Sequence, residues 1–180
     1  MEEAEKKERS IRQMVVGKSN QEKIKIRQIR PADKSWVKRI LTQYWGSAKI
    51  ISRGRLHWAD KLPGFVAELN GKKVGLITYE IKNNECEIVS LNSEEQKKGV
   101  GTALLEKVKK VAKKSRCQRI WLVTTNDNLK ALRFYQKRGF VLVRVYPEAL
   151  KVSRKLKPEI PKVGLYGISL RDEIELETQL

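Results

Sequence analysis

The sequence predicts a mixed α/β fold, a single sheet with helices packed against it. Three observations carry this. Segments with apolar residues at every second position recur, beginning with Ile24-Lys25-Ile26-Arg27-Gln28-Ile29-Arg30. An Asn70-Gly71 pair between two apolar runs is a two-residue hairpin signal. Two segments with apolar residues at helical spacing each lie between strand-like runs. The resulting order is strand, helix, hairpin, strand, helix, strand, helix, strand.

Element by element, Pro31 ends the first strand and a helix begins around Asp33. Trp36, Val37, Ile40, Leu41, Tyr44 and Trp45 share one face of it, and Gly46 stops it. Residues 47–63 follow neither period and are expected to hold a short helix, then a loop. Residues 65–69 and 73–82 form the hairpin, Asn83-Asn84 makes a second turn, and 85–92 is the next strand. In the helix that follows, Leu104, Leu105, Val108, Val111 and Ala112 share a face, and lysines cover the rest. Residues 119–125 form a strand with an apolar centre. Asn126-Asp127-Asn128 offers a cap for a helix reaching Arg138, with Gly139 to end it. Residues 140–146 form another strand. A basic connection leads to a last strand over 163–170, and Asp172 to Glu177 reads as an acidic tail.

A chain of 180 residues suits one domain. Residues 1–22 are expected to be a charged N-terminal arm and residues 23–180 a single domain. No apolar run approaches the ~20 residues of a membrane span, and the charged N-terminus lacks the apolar stretch of a signal peptide. Cys86 and Cys117 have no metal-type or redox-type spacing, so both read as buried apolar residues in a reducing, cytoplasmic compartment. His57 is the single histidine, which excludes most histidine-based metal sites and argues against a Ser-His-Asp triad. No metal is expected.

The net charge of +18 favours anionic partners. Between Lys97 and Arg119 there are nine basic residues and one acid, Glu106. A solvated lysine-rich helix face is the plain reading, and a nucleic-acid surface is the sharper, less favoured one.

The most informative stretch is Gln96-Lys97-Lys98-Gly99-Val100-Gly101-Thr102, between the run Ile88-Val89-Ser90-Leu91 and a helix. Amides crowded between a strand end and a helix start form an anion site, and glycines allow close approach. A phosphate compound is therefore expected here. A nucleoside-triphosphate loop needs Gly-Lys-Ser/Thr, but Thr102 directly follows Gly101. A dinucleotide fingerprint needs a third glycine where Leu104 stands. The pattern Gln/Arg-x-x-Gly-x-Gly/Ala matches at every fixed position.

That pattern resembles the acyl-CoA loop of the GNAT-type N-acetyltransferases. A second segment, Asn126-Asp127-Asn128-Leu129-Lys130-Ala131-Leu132-Arg133-Phe134-Tyr135-Gln136-Lys137-Arg138-Gly139-Phe140, resembles another stretch of the same family, in the family's order and spacing. The resemblance covers roughly residues 24–147. The runs 87–104 and 167–175 resemble a prokaryotic subgroup whose acceptor the residues do not name.

The resemblance implies a central mixed, mostly antiparallel sheet flanked by helices on both faces, with a splayed strand pair holding acetyl-CoA. It implies transfer of acetyl from that co-substrate to a primary amine, directly, in a ternary complex. Gln96 opens the loop, and the amides of Lys97, Lys98, Gly99, Val100, Gly101 and Thr102 would carry the pyrophosphate. The backbone of Val89 and Leu91 would pair with the pantetheine arm, and an amide near Val89 would polarise the thioester carbonyl. Asn128 matches a cofactor-contacting asparagine, although a helix cap explains it equally well. Tyr135 matches the proposed general acid, against the alternative of a core aromatic. Glu85 falls where one branch of the family places its base. Glu87, two residues on, shares its strand face, so the pair offers a base, a seat for a cationic acceptor, or two solvated carboxylates. Water-mediated deprotonation is a further alternative. Cys86 points to the opposite face and is not expected to carry acyl groups. His57 and Trp58 fall where acceptor sites are often built. Arg53 and Arg55 are candidates for the 3′-phosphate or an anionic acceptor. A homodimer through the last strands is implied, with the acidic tail as one route to a partner's basic surface. The rival readings are a nucleic-acid-associated protein, and an acyl-CoA-binding protein without turnover, on the same fold.

Overall fold

The computed structural model describes residues 23–95 and 98–180. The expected N-terminal arm, Gln96 and Lys97 lie outside the described residues. The chain runs β1 (Ile24–Gln28), α1 (Lys34–Trp45), β2 (Lys49–Ser52), β3 (Arg55–Trp58), β4 (Gly64–Leu69), β5 (Lys72–Lys82), β6 (Glu85–Ser93), α2 (Val100–Lys114), β7 (Arg119–Thr125), α3 (Leu129–Gln136), β8 (Val141–Tyr146), α4 (Ala149–Leu156) and β9 (Glu173–Gln179). The main sheet has the order β1-β4-β5-β6-β7-β9-β8. Its neighbours are antiparallel except β6 and β7, which are joined through α2 and run parallel. The expected mixed, mostly antiparallel sheet is therefore present.

Each face of the sheet buries one helix layer. On one side Leu104, Leu105, Val108 and Ala112 of α2 pack with Ile77, Ile88, Ile120, Leu122 and Leu176. On the other, Val37, Ile40 and Leu41 of α1 pack with Leu76 and Val89. The close docking of α2 on β5 depends on Gly75: a Cβ there would lie 2.6 Å from Val100 Cγ1 and 3.0 Å from Leu104 Cδ1.

Three regions depart from the sequence reading. Residues 49–58, expected to be helix and loop, form the antiparallel β2–β3 hairpin, turning at Arg53-Gly54. Its residues Ile50 and His57 face inward, an alternation too short to register in a sequence scan. The basic connection contains α4, whose Leu150 and Ser153 are buried. Lys157 then donates from Nζ to the carbonyl of Trp45, at the C-terminal end of α1, and to that of Lys49 in β2.

The third departure is the largest. The last strand is not 163–170 but β9, made from the segment read as an acidic tail, and it is inserted between β7 and β8. Glu-Ile-Glu-Leu-Glu is an alternating pattern, but its charges make it look solvated. The carboxylates are tolerated because cations meet them: Arg119 bonds Glu175 at 3.0 Å and also Glu177, and Arg119 stacks on Trp121. Glu173 is buried and accepts from the Arg53 amide at 2.9 Å and the Ser153 hydroxyl at 3.2 Å. The segment is thus committed inside its own sheet and cannot serve as a free arm for a partner. Strand β8 forms an edge and leaves Val141, Leu142, Val143 and Val145 exposed. No described helix is long and apolar enough to cross a membrane.

Candidate active site

The parallel ladder between β6 and β7 stops early. It runs from Glu85↔Arg119 to Ile88↔Leu122, while β6 continues to Ser93 and β7 to Thr125. A bulge sits at the stopping point: Thr78 pairs Ser90 and Tyr79 pairs Ile88, so Val89 is the extra residue on β6. The bulge bends β6 away from β7 and opens a cleft of about 540 Å³.

The cleft gathers most of the predicted cofactor residues. Val89 and Leu91 line one wall, Gly99, Val100, Gly101 and Thr102 the end, and Asn128 and Tyr135 the other side. Gly99 caps α2 in the left-handed region, with φ of 78°, and presents the first-turn amides to the cleft. Lys98 is exposed beside the loop. Asn128 caps α3, accepting from the Ala131 amide at 3.1 Å through its carbonyl oxygen. Tyr135 packs edge-on against Phe134 and Phe140 at 5.0 and 5.3 Å. Its hydroxyl has no hydrogen bond among the described residues, and burial holds it protonated far above the usual phenol range.

Arg138 escaped sequence reading, since Lys137-Arg138 at a helix end looks like solvated charge. Its guanidinium donates to Thr102 Oγ1 at 3.0 and 2.6 Å and to the Phe134 carbonyl at 2.7 Å. It also stacks on the Phe134 ring at 3.6 Å. It ties the first turn of α2 to α3, two elements that line the cleft.

A second cavity, of about 350 Å³, draws part of its lining from the same strand pair. Glu87 and Trp121, register partners, line the pocket; the next pair, Ile88 and Leu122, lines the cleft. Ser52, Arg53, Arg55, Glu80, Lys82 and Glu85 complete the pocket. As predicted, Glu85 and Glu87 share a face, but their states differ. Arg119 holds Glu85 through two contacts of 3.0 Å. Glu87 is 4 % exposed, and its Oε1 is buried without a hydrogen-bond partner. Burial pushes its carboxyl up to about 7, with Glu80 adding to the rise and the Ser52 hydroxyl, Arg55 and Arg53 opposing it. Glu80 is its register partner on β5, a like-charge pair visible only once the register is known.

His57 lies buried between these two carboxylates, Nε2 3.5 Å from Glu87 and Nδ1 3.9 Å from Glu80. Burial lowers its pKa, so the imidazole is neutral at physiological pH. One ligand-type atom from each of His57, Glu80 and Glu87 lies within 4.8 Å of the other two, and the cluster holds two buried residues, His57 and Glu87. Trp58 is exposed, with Lys49 and Lys61 over its ring, and lies outside the pocket. Cys86 faces the opposite core, where burial pushes its thiol up to about 12 and suppresses the nucleophilic thiolate.

Residues 33–140, well over half of the chain, match the model of the Acetyltransferase (GNAT) family. The chain belongs to the GNAT acetyltransferase family. Two relatives from Bacillus subtilis (strain 168) cover most of this GNAT chain. The uncharacterized protein YdhI is 47% identical over 133 residues, 73% of this chain and 83% of YdhI. The uncharacterized protein YxbD is 40% identical over 148 residues, 82% and 93%. Solved GNAT-fold structures align over most of both chains. An IAA acetyltransferase from Bacillus cereus has a TM-score of 0.70 at 23% identity, covering 88% of this chain and 100% of that one. A Bacillus subtilis acetyltransferase in complex with CoA has a TM-score of 0.64 at 21% identity, covering 88% and 99%. An Elizabethkingia anophelis GNAT enzyme with acetyl-CoA bound has a TM-score of 0.63 at 21% identity, covering 87% and 98%. Membership of this family makes the protein an acetyltransferase. The geometry fits the co-substrate: an open cleft between parted strands, with helix-start amides and basic groups at one end, suits a long, flexible arm ending in phosphates.

Proposed function

We propose that this chain moves the acetyl group of acetyl-CoA to a primary amine by direct attack in a ternary complex. The observation that carries the reading is a buried, under-bonded carboxylate one residue pair from the point where β6 and β7 part. Acetyl-CoA supplies the activated acyl group. The described loop amides, Lys98 and Thr102 included, hold its pyrophosphate, together with Gln96 and Lys97 of the same loop. The backbone of Val89 and Leu91, on the side that β7 leaves unpaired, aligns the pantetheine and polarises the carbonyl, and Asn128 contacts the cofactor from α3.

Glu87 acts as the base, taking the amine proton as nitrogen bonds to the acyl carbon. Glu85, neutralised by Arg119, forms a wall rather than the base. As the carbon–sulfur bond breaks, Tyr135 delivers its proton to the departing thiolate. Atoms and charge balance: one proton leaves the amine, one reaches the thiol, and tyrosinate and the protonated carboxyl reset through solvent. Self-association through the apolar edge of β8 belongs to this reading, and a monodisperse monomer in light scattering would reject that part.

Calorimetry with acetyl-CoA, followed by thiol-release assays over a panel of amines, tests the enzyme. Saturable binding and amine-dependent thiol release are expected; no heat at millimolar acetyl-CoA would sink the reading. Arg138→Ala is expected to weaken acetyl-CoA binding about tenfold, roughly the 1.4 kcal/mol of a lost charge-assisted bond. An unchanged dissociation constant would show that the brace between Thr102 and Phe134 does not shape the cofactor loop.

A further inference from the structure

We propose that the acceptor is a small amine that also carries an anionic group, a carboxylate or phosphate, seated with its amine at Glu87 and its anion at Arg53 and Lys82. The proposal rests on the acetyltransferase reading above and extends it to the substrate class.

Part of the pocket's charge is already satisfied by neighbouring side chains. Arg55 pairs Glu80 at 2.6 Å, and Glu85 is held at 3.0 Å by Arg119, a cation it shares with Glu175 and Glu177. Three charged groups of the lining are left over: Glu87 in the interior, and Arg53 and Lys82. Lys82 has no ion pair among the described residues. The one ion pair of Arg53 is a long 3.6 Å contact to Glu175, a carboxylate already engaged by Arg119 and the Tyr146 hydroxyl. An occupant complementary to this remainder has a proton-bearing nitrogen at one end and negative charge at the other. A polycation would meet two uncompensated cations.

The backbone points the same way. Three two-residue hairpin turns have both central residues in the left-handed region: Asn70-Gly71, Asn83-Asn84 and Arg53-Gly54. The first two use residues that tolerate this conformation. Arg53, at φ of 51°, does not belong to that class, yet it is held there. The Glu173 carboxylate accepts from its amide at 2.9 Å, and its guanidinium lies over Trp121 and Tyr146 at 5.0 and 5.6 Å. A strained arginine anchored on both sides and lining the cavity is placed for an anion, and its planar fork suits carboxylate or phosphate. The cavity of about 350 Å³ is of a size that suits a small molecule. The net charge of +18 draws such an anion and repels polyamines.

The test compares aminopropylphosphonate and β-alanine with propylamine and spermidine, in thiol-release assays with saturating acetyl-CoA. Each amine is also titrated calorimetrically into the CoA-loaded protein. Acid-bearing amines are expected to be preferred over propylamine by about tenfold or more in kcat/KM, mainly through KM. Arg53→Asn keeps a residue suited to the turn and removes the guanidinium; it should reduce that preference to near unity. Equal or better use of propylamine or spermidine overturns the proposal, as does a preference that survives in Arg53→Asn and in Lys82→Ala. If none of these amines is turned over, the calorimetric arm decides: tighter binding of the phosphonate than of propylamine supports the proposal, and equal binding overturns it. Absence of acetyl-CoA binding would instead reject the underlying enzyme reading.

Discussion

Glu87→Gln is expected to lower kcat on a good acceptor by about 10²- to 10³-fold, the usual range for a lost general base. The substitution keeps the side chain's volume and leaves the ion pair between Glu85 and Arg119 untouched. The wild-type rate should rise with pH through a midpoint near 7, because only the ionised carboxylate accepts a proton and burial has moved it there. In the glutamine variant that rise should disappear. Stability should move in the opposite direction. The folded carboxyl titrates near 7 against an ordinary value of 4.5, so the fold prefers the proton-bound form. Its contribution is complete below about pH 4.5 and is lost as pH climbs through 7. Glu87→Gln, which cannot ionise, should therefore raise Tm relative to wild type at pH 8 and have little effect at pH 4. A variant with normal kcat, or with the pH–rate step intact, would show that Glu87 is not the base.

The second large effect is expected at Tyr135. Tyr135→Phe preserves the ring contacts with Phe134 and Phe140 and removes only the hydroxyl. We expect kcat to fall by roughly 10² or more, since an alkyl thiolate would have to leave unprotonated. The deficit should narrow with an acetyl donor whose thiol is more acidic than that of CoA, because such a leaving group needs less help. A purely structural tyrosine would lower the rate equally with both donors, and that pattern would refute the acid role. The high pKa that burial imposes keeps the phenol charged with its proton across the working pH range.

Local features of the sequence reached far into this protein. The paired glycine-loop and Asn-Ala-Phe-Tyr segments both fall on one cleft, and the hairpin turns at Asn70-Gly71 and Asn83-Asn84 are where the residues predict them. These signals are short-range: a glycine with positive φ, a capping asparagine, an apolar stripe. Arg138 could not be recognised in the same way, because its partners Thr102 and Phe134 belong to different helices. Nor could the difference between Glu85 and Glu87. Both are carboxylates on one face of one strand, and what separates them is Arg119 at one and His57 and Glu80 at the other.

The acidic segment at the end of the chain shows the division most clearly. Composition alone makes Asp172 to Glu177 look like a solvated tail, because burying carboxylates is costly in the absence of partners. Arg53, Arg119, Tyr146 and Ser153 come from four other elements, and together they make β9 an interior strand. By itself the sequence determined the family, the glycine loop and the helix that follows it, since each depends on residues close together in the chain. Only the tertiary structure decided which carboxylate is buried, which arginine is strained and which charges remain unpaired in the pocket. Desolvation and ion pairing depend on neighbours in space, and those neighbours are brought together by the parting of β6 and β7 and by a hairpin whose pattern was too short to read.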